Sequence, residues 1–112
     1  MGISTHILDT NLGRPAVDVP VSLFRWLQEQ WTLIAESRTD TDGRCRHLLP
    51  ENVASEPGLY SIRFDTAAYY KAQRLTGLYP YVEIVFEVRD IHRHFHIPLL
   101  LTANGYTTYR GS

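Results

Sequence analysis

Histidine is the first side chain to examine for proton chemistry, because its ordinary pKa of about 6.5 lies near neutrality. This chain has five: His6, His47, His92, His94 and His96. His6 alternates onto one strand face with Ser4 and Leu8, while Ile3, Thr5 and Ile7 take the other. His96 alternates with His94, Pro98 and Leu100, opposite Phe95, Ile97, Leu99 and Leu101. In each segment the face without histidine reads as core, so His6 and His96 are expected on an outer face. That outer face also carries Leu8, Pro98 and Leu100. A sheet face mixing histidine with apolar side chains implies a cover, such as a subunit interface.

Other reactive groups are sparse. Arg44 directly follows the Asp42-Gly43 turn, which fixes its origin. Its planar fork suits an oxygen-rich anion or a polarised carbonyl, although an arginine with no role is the default for a surface position. His92, His94 and His96 share a spacing of two, so one strand face could present three ligands to zinc. No cysteine or carboxylate cluster supports that alternative. The plainer reading of His92 and His94 is a pair of solvated residues where a strand begins. Cys45 is the single cysteine, so no internal disulfide is possible, and it reads as a small strand residue. Glu83 and Glu87 alternate on one exposed face and read as solvated. The chain contains no Gly-x-Gly-x-x-Gly, P-loop or Gly-x-Ser-x-Gly motif.

The elements that must position these groups are mostly strands. Alternation of period two recurs between turn residues. Val17, Val19, Val21 and Leu23 are expected on one face of a second strand, and Trp31, Leu33 and Ala35 on one face of a third, with Gln28 to Gln30 turning between them. Tyr60, Ile62 and Phe64 mark a further strand, as do Val82, Ile84, Phe86 and Val88. His94 to Thr102 is followed by the Asn104-Gly105 turn and a last strand, Tyr106 to Tyr109. Thr66 to Leu75 breaks the pattern and is the one expected helix, capped by Asp65 or Thr66 and stopped by Gly77. Seven or eight strands with regularly spaced turns predict an all-β sandwich.

Composition narrows the classes. The length predicts a single domain spanning residues 1–112. Hydrophobic residues make up 44%, enough for one core, and the net charge of -1 with no basic run argues against a nucleic-acid partner. No apolar run reaches the ~20 residues a membrane helix needs, and no secretory leader pattern opens the chain, which makes the cytoplasm the expected location.

Several segments together resemble the 5-hydroxyisourate hydrolases, the enzymatic relatives of transthyretin. They are Ser4-Thr5-His6-Ile7-Leu8-Asp9, Asp42-Gly43-Arg44, His94-Phe95-His96-Ile97-Pro98-Leu99-Leu100-Leu101 and the terminal Tyr109-Arg110-Gly111-Ser112. Gly13 to Ala16, Asp65 to Tyr70 and Phe86 to Val88 extend the resemblance over nearly the whole chain. It implies a transthyretin-like (prealbumin-like) sandwich of two four-stranded antiparallel sheets with one short helix. It also implies a homotetramer, a dimer of dimers, with active sites opening into a central channel. The implied reaction is hydrolysis of 5-hydroxyisourate, a small-molecule product of urate oxidation, to 2-oxo-4-hydroxy-4-carboxy-5-ureidoimidazoline. No metal or other cofactor is implied. Carried over by motif, His6 and His96 are the active-site histidines, Arg44 the substrate-binding arginine and Tyr109 a further wall. His96 is the expected general base, active above a histidine pKa of about 6–7. Phe95 stands where many relatives have tyrosine. Its core-facing phase limits that departure to the loss of a hydroxyl contact.

Overall fold

The computed structural model describes residues 1–52 and 56–112. Its elements run β1 (Ile3–Asp9), β2 (Arg14–Pro15), β3 (Pro20–Leu27), β4 (Gln30–Arg38), β5 (Arg44–Leu49), β6 (Gly58–Phe64), α1 (Thr66–Ala72), β7 (Val82–Val88), β8 (Phe95–Thr102) and β9 (Gly105–Thr108). Two sheets face each other. One has the order β4-β3-β6-β7 and is antiparallel throughout. In the other, β8 and β9 lie to one side of β1, while β5 and β2 share its opposite edge. That sheet is therefore four strands wide, in keeping with the expected sandwich. One pairing inside it departs from antiparallel: β1 and β8 run parallel, from Ile3↔Phe95 to Asp9↔Leu101. Parallel neighbours need a long crossover, and here most of the chain separates them.

The core follows the alternation. Ile3 and Ile7 of β1 and Leu99 and Leu101 of β8 are buried against Val21, Leu23, Ile62 and Phe64 of the opposite sheet. Each such side chain contributes roughly 1.5–3 kcal/mol when taken out of water. Phe95 is buried with them, as its phase required. Cys45 is buried too, and burial pushes its thiol pKa up, so it behaves as a small strand residue.

Three local expectations need correction. Val17 is exposed and precedes β3, whereas Val19, Val21 and Leu23 are core. The β3–β4 register then shifts between Leu23 and Phe24, which changes the phase of the hairpin. As a result Trp31 and Leu33 are exposed on edge strand β4. The helix ends at Ala72 and not at Leu75: Arg74 takes a positive φ of 57°, and the Leu75 N–H closes on the Tyr70 carbonyl. Its start was legible, since the Asp65 carboxylate accepts the Ala68 N–H at 3.0 Å. Among the described residues, no helix is long and apolar enough to cross a membrane.

Candidate active site

Arg44 is placed by the turn before it. Asp40 Oδ1 accepts the N–H groups of Asp42 (2.9 Å) and Arg44 (3.0 Å), and Oδ2 accepts from Arg46 Nη1 (3.0 Å). The Arg44 N–H is the main reason the Asp40 carboxyl stays below its usual pKa, with the Arg46 guanidinium adding to it. Gly43 has φ 76°, and its carbonyl accepts the Ile7 N–H at 2.8 Å. A Cβ there would lie 2.9 Å from Pro15 Cβ and 2.5 Å from the Ile7 carbonyl oxygen. Only glycine satisfies both the backbone and the space. The turn thereby locks β5 onto β1 and sets Arg44 directly opposite His6. Gly43→Ala is expected to cost at least about 1–2 kcal/mol for the left-handed backbone alone. Thermal unfolding should show a Tm lower by on the order of 5–15 °C; an unchanged Tm would mean the turn tolerates a side chain.

The parallel β1–β8 pairing completes the arrangement. Ser4 is opposite His96 and His6 is opposite Pro98, so the two histidines are diagonal neighbours on the outer face of one sheet. Ser4 Oγ lies 2.8 Å from His96 Nδ1 and 2.8 Å from His94 Nε2. Glu51 Oε1 approaches the far side of His94, 3.3 Å from Nδ1. The chain terminus returns to the same place. Gly111 pairs with His96 as an isolated bridge, its N–H donating to the His96 carbonyl at 2.8 Å. A cleft of about 230 Å³ opens there, walled by Ser4, Arg44, Arg46, His94, His96 and Ser112. Burial is the main reason His96 has a pKa below the usual 6.5, with positive charge from Arg44, His6 and His94 adding to it. His6 is lowered as well, first by burial and then by Arg44, against a carbonyl contact from Asp42 that favours the charged form. The site therefore presents neutral imidazoles beside a permanent cation.

Of the expected residues, His96 and Arg44 share the cleft; His6 is paired with Arg44 and diagonal to His96 but is not among the residues that wall it. Tyr109 does not join them: it is more than half exposed and borders a different cleft, with Ile84, Phe86, Phe95 and Ile97. The three-histidine alternative loses its geometric premise, because His92 sits in a turn before β8 begins at Phe95. Among the described residues no three His, Cys, Asp or Glu side chains are close enough to hold a metal ion. Arg46 and Glu51 were not anticipated at the site; the sequence offered His94 only as a zinc ligand or a solvated residue, and Ser4 and Gly111 only as members of matching segments. Ser4 shares the His6 face, which was a usable signal; the pairing partner that gives it meaning was not.

Comparison with known proteins bears on the family and the fold. The sequence profile of the HIUase/Transthyretin family matches residues 3–111. A 5-hydroxyisourate hydrolase of Mus musculus is 43% identical over 113 residues, covering 98% of this chain and 94% of the mouse protein. The structure of Klebsiella pneumoniae 5-hydroxyisourate hydrolase superposes with a TM-score of 0.86 at 31% identity, over the full length of both chains. Sea bream transthyretin, in complex with thyroxine, gives a TM-score of 0.91 at 33% identity, over 99% of this chain and 95% of that one. Backbone similarity thus spans a hydrolase and a hormone-binding protein alike, and the sandwich alone does not choose between them. With the profile and the relatives both running along almost its entire length, the chain belongs to the HIUase/Transthyretin family.

Proposed function

We propose that this chain hydrolyses 5-hydroxyisourate. The observation that carries the reading is His96 itself: one ring nitrogen is hydrogen-bonded to Ser4, and the ring walls a cleft that it shares with Arg44. In the proposed reaction the free Nε2 of neutral His96 takes a proton from water. The resulting hydroxide equivalent attacks the ring carbonyl, and a tetrahedral intermediate forms. Arg44 offsets the negative charge on its oxygen, a contribution on the order of 10²–10³ in rate. Collapse breaks the C–N bond, and the imidazolium returns its proton to the leaving nitrogen, giving 2-oxo-4-hydroxy-4-carboxy-5-ureidoimidazoline. His6, paired across the strands with Arg44, orients the substrate and adds positive charge only when protonated.

The same reading includes assembly as a homotetramer whose subunits meet over the histidine face. The half-buried Leu8 and Leu100 on that outer face support a cover.

The test follows ultraviolet absorbance of freshly generated 5-hydroxyisourate. Turnover well above spontaneous decay is expected; decay at the spontaneous rate would leave a carrier of small ligands as the better reading. The pH dependence sharpens the test. Only the neutral form of His96 can act as base, and burial and nearby positive charge disfavour its protonation. Activity is therefore retained below pH 6.5 and lost only as pH falls through the depressed pKa. The acid limb of kcat/KM should have its midpoint below 6.5, the ordinary histidine value. A midpoint above that value would remove His96 from the role.

A further inference from the structure

Ser4 has one proton to donate and two histidine nitrogens to satisfy, each at 2.8 Å. The two contacts therefore cannot both be donations from Ser4. If it donates to His96 Nδ1, then His96 carries its proton on Nε2, and His94 must donate to Ser4 from its own Nε2. A neutral His94 would then turn a bare Nδ1 toward the Glu51 carboxylate, lone pair against negative charge. The reverse arrangement has no such conflict. A neutral His94 keeps its proton on Nδ1, on the side that Glu51 approaches within ion-pair range at 3.3 Å. Its Nε2 accepts from Ser4, and Ser4 Oγ accepts from His96 Nδ1. Every neighbouring pair is then donor against acceptor, and His96 Nε2 is left as a lone pair. The end of the series is exposed, since the Glu51 side chain retains 74% of its accessible surface.

We propose that Ser4 and His94, biased by Glu51, are positioning residues that hold His96 in the Nδ1-protonated tautomer and offer a path by which its proton can leave. When His96 Nε2 takes a proton from water, Nδ1 can release one to Ser4 Oγ. Ser4 passes its own proton to His94 Nε2, and the imidazolium so formed is balanced by Glu51. Three protons each move one step, and all three transfers reverse when the C–N bond breaks, so that His96 Nε2 still delivers the proton to the leaving nitrogen. The inference rests on the proposed hydrolysis for its catalytic meaning, but the tautomer is a property of the resting protein.

The test is 15N NMR of histidine-labelled full-length protein, with the His96 signals assigned by their loss in His96→Ala, alongside steady-state kinetics. His96 is expected to carry its proton on Nδ1. Ser4→Ala should abolish that preference and lower kcat by about ten- to a hundredfold, with KM changed far less. Ser4→Thr, which keeps the hydroxyl, should restore both. Glu51→Gln, at an exposed position that leaves the core untouched, should weaken the tautomer preference and lower kcat about two- to fivefold. It keeps the test open should Ser4→Ala fail to fold. A wild-type His96 protonated on Nε2, or a tautomer and kcat indifferent to both Ser4→Ala and Glu51→Gln, overturns the proposal. If the wild type does not hydrolyse 5-hydroxyisourate yet His96 shows the Ser4-dependent tautomer, the hydrogen-bond series stands and the reaction assignment falls. Turnover with a Ser4-independent tautomer leaves the reaction standing and removes the hydrogen-bond series.

Discussion

His96→Ala is expected to lower kcat by roughly 10²–10⁴-fold, the range for loss of a positioned general base. The fold should survive it. His96 leaves the core face of β8, where Phe95, Ile97, Leu99 and Leu101 carry the packing. The deletion removes one hydrogen bond to Ser4 and leaves the Gly111 N–H bonded to the backbone carbonyl of residue 96. A Tm within a few degrees of wild type, with turnover collapsed, is the expected pair of results; turnover within tenfold of wild type would displace His96 as base. His6→Ala provides an internal check on the electrostatics. The charge that His6 gains when it is itself protonated in acid is one of the influences that disfavour protonation of His96. Removing it should therefore raise the acid-limb midpoint, whereas loss of a residue that only touches substrate would leave the midpoint where it was.

Much of this site was legible in the sequence, and what was not has a physical cause. The phases of β1 and β8 follow from alternation alone, because a strand with one face in the core admits no slip. Ile3, Thr5 and Ile7 inside force Ser4 and His6 outside. The Asp42-Gly43 turn was legible for a related reason, since a positive φ has few occupants. Neighbour relations were another matter. Nothing local states that β1 and β8, at opposite ends of the chain, lie side by side in parallel. That pairing alone turns Ser4 from a residue beside His6 into the partner of His96. Glu51 was invisible for the same reason. The β3–β4 hairpin failed differently: a register shift at Leu23 and Phe24 reverses a phase that unbroken alternation would have extended. Tyr109 was assigned through its motif, and membership of a tetrapeptide does not say which cleft each residue borders.

In the tail, the sharpest constraint falls on a residue with no side chain. His96↔Gly111 keeps the register of Leu99↔Thr108, three positions back on one strand and three forward on the other, so this segment extends the β8–β9 pairing up to the His96 ring. At that point a Cβ on Gly111 would overlap His96 Cδ2 and lie 3.2 Å from Cγ and 3.3 Å from the carbonyl oxygen. Gly111→Ala must therefore move the ring, the tail, or both. The ring cannot turn without stretching its 2.8 Å contact with Ser4, and the tail cannot lift without withdrawing Ser112 from the cleft. Displacement of a reacting group by about 1 Å can cost on the order of 10²-fold, and that is the expected loss in kcat. Stability should barely change, because residues 109–112 contribute no member of the buried core. Ending the chain after Arg110 separates the two causes. It removes Ser112 and the bond to the His96 carbonyl but adds no bulk, so the tautomer of His96 should persist in the truncated protein and be disturbed in Gly111→Ala. Retention of more than half the wild-type kcat by Gly111→Ala would show that the ring has room to yield, and that the glycine serves the chain's return and not the geometry of the base.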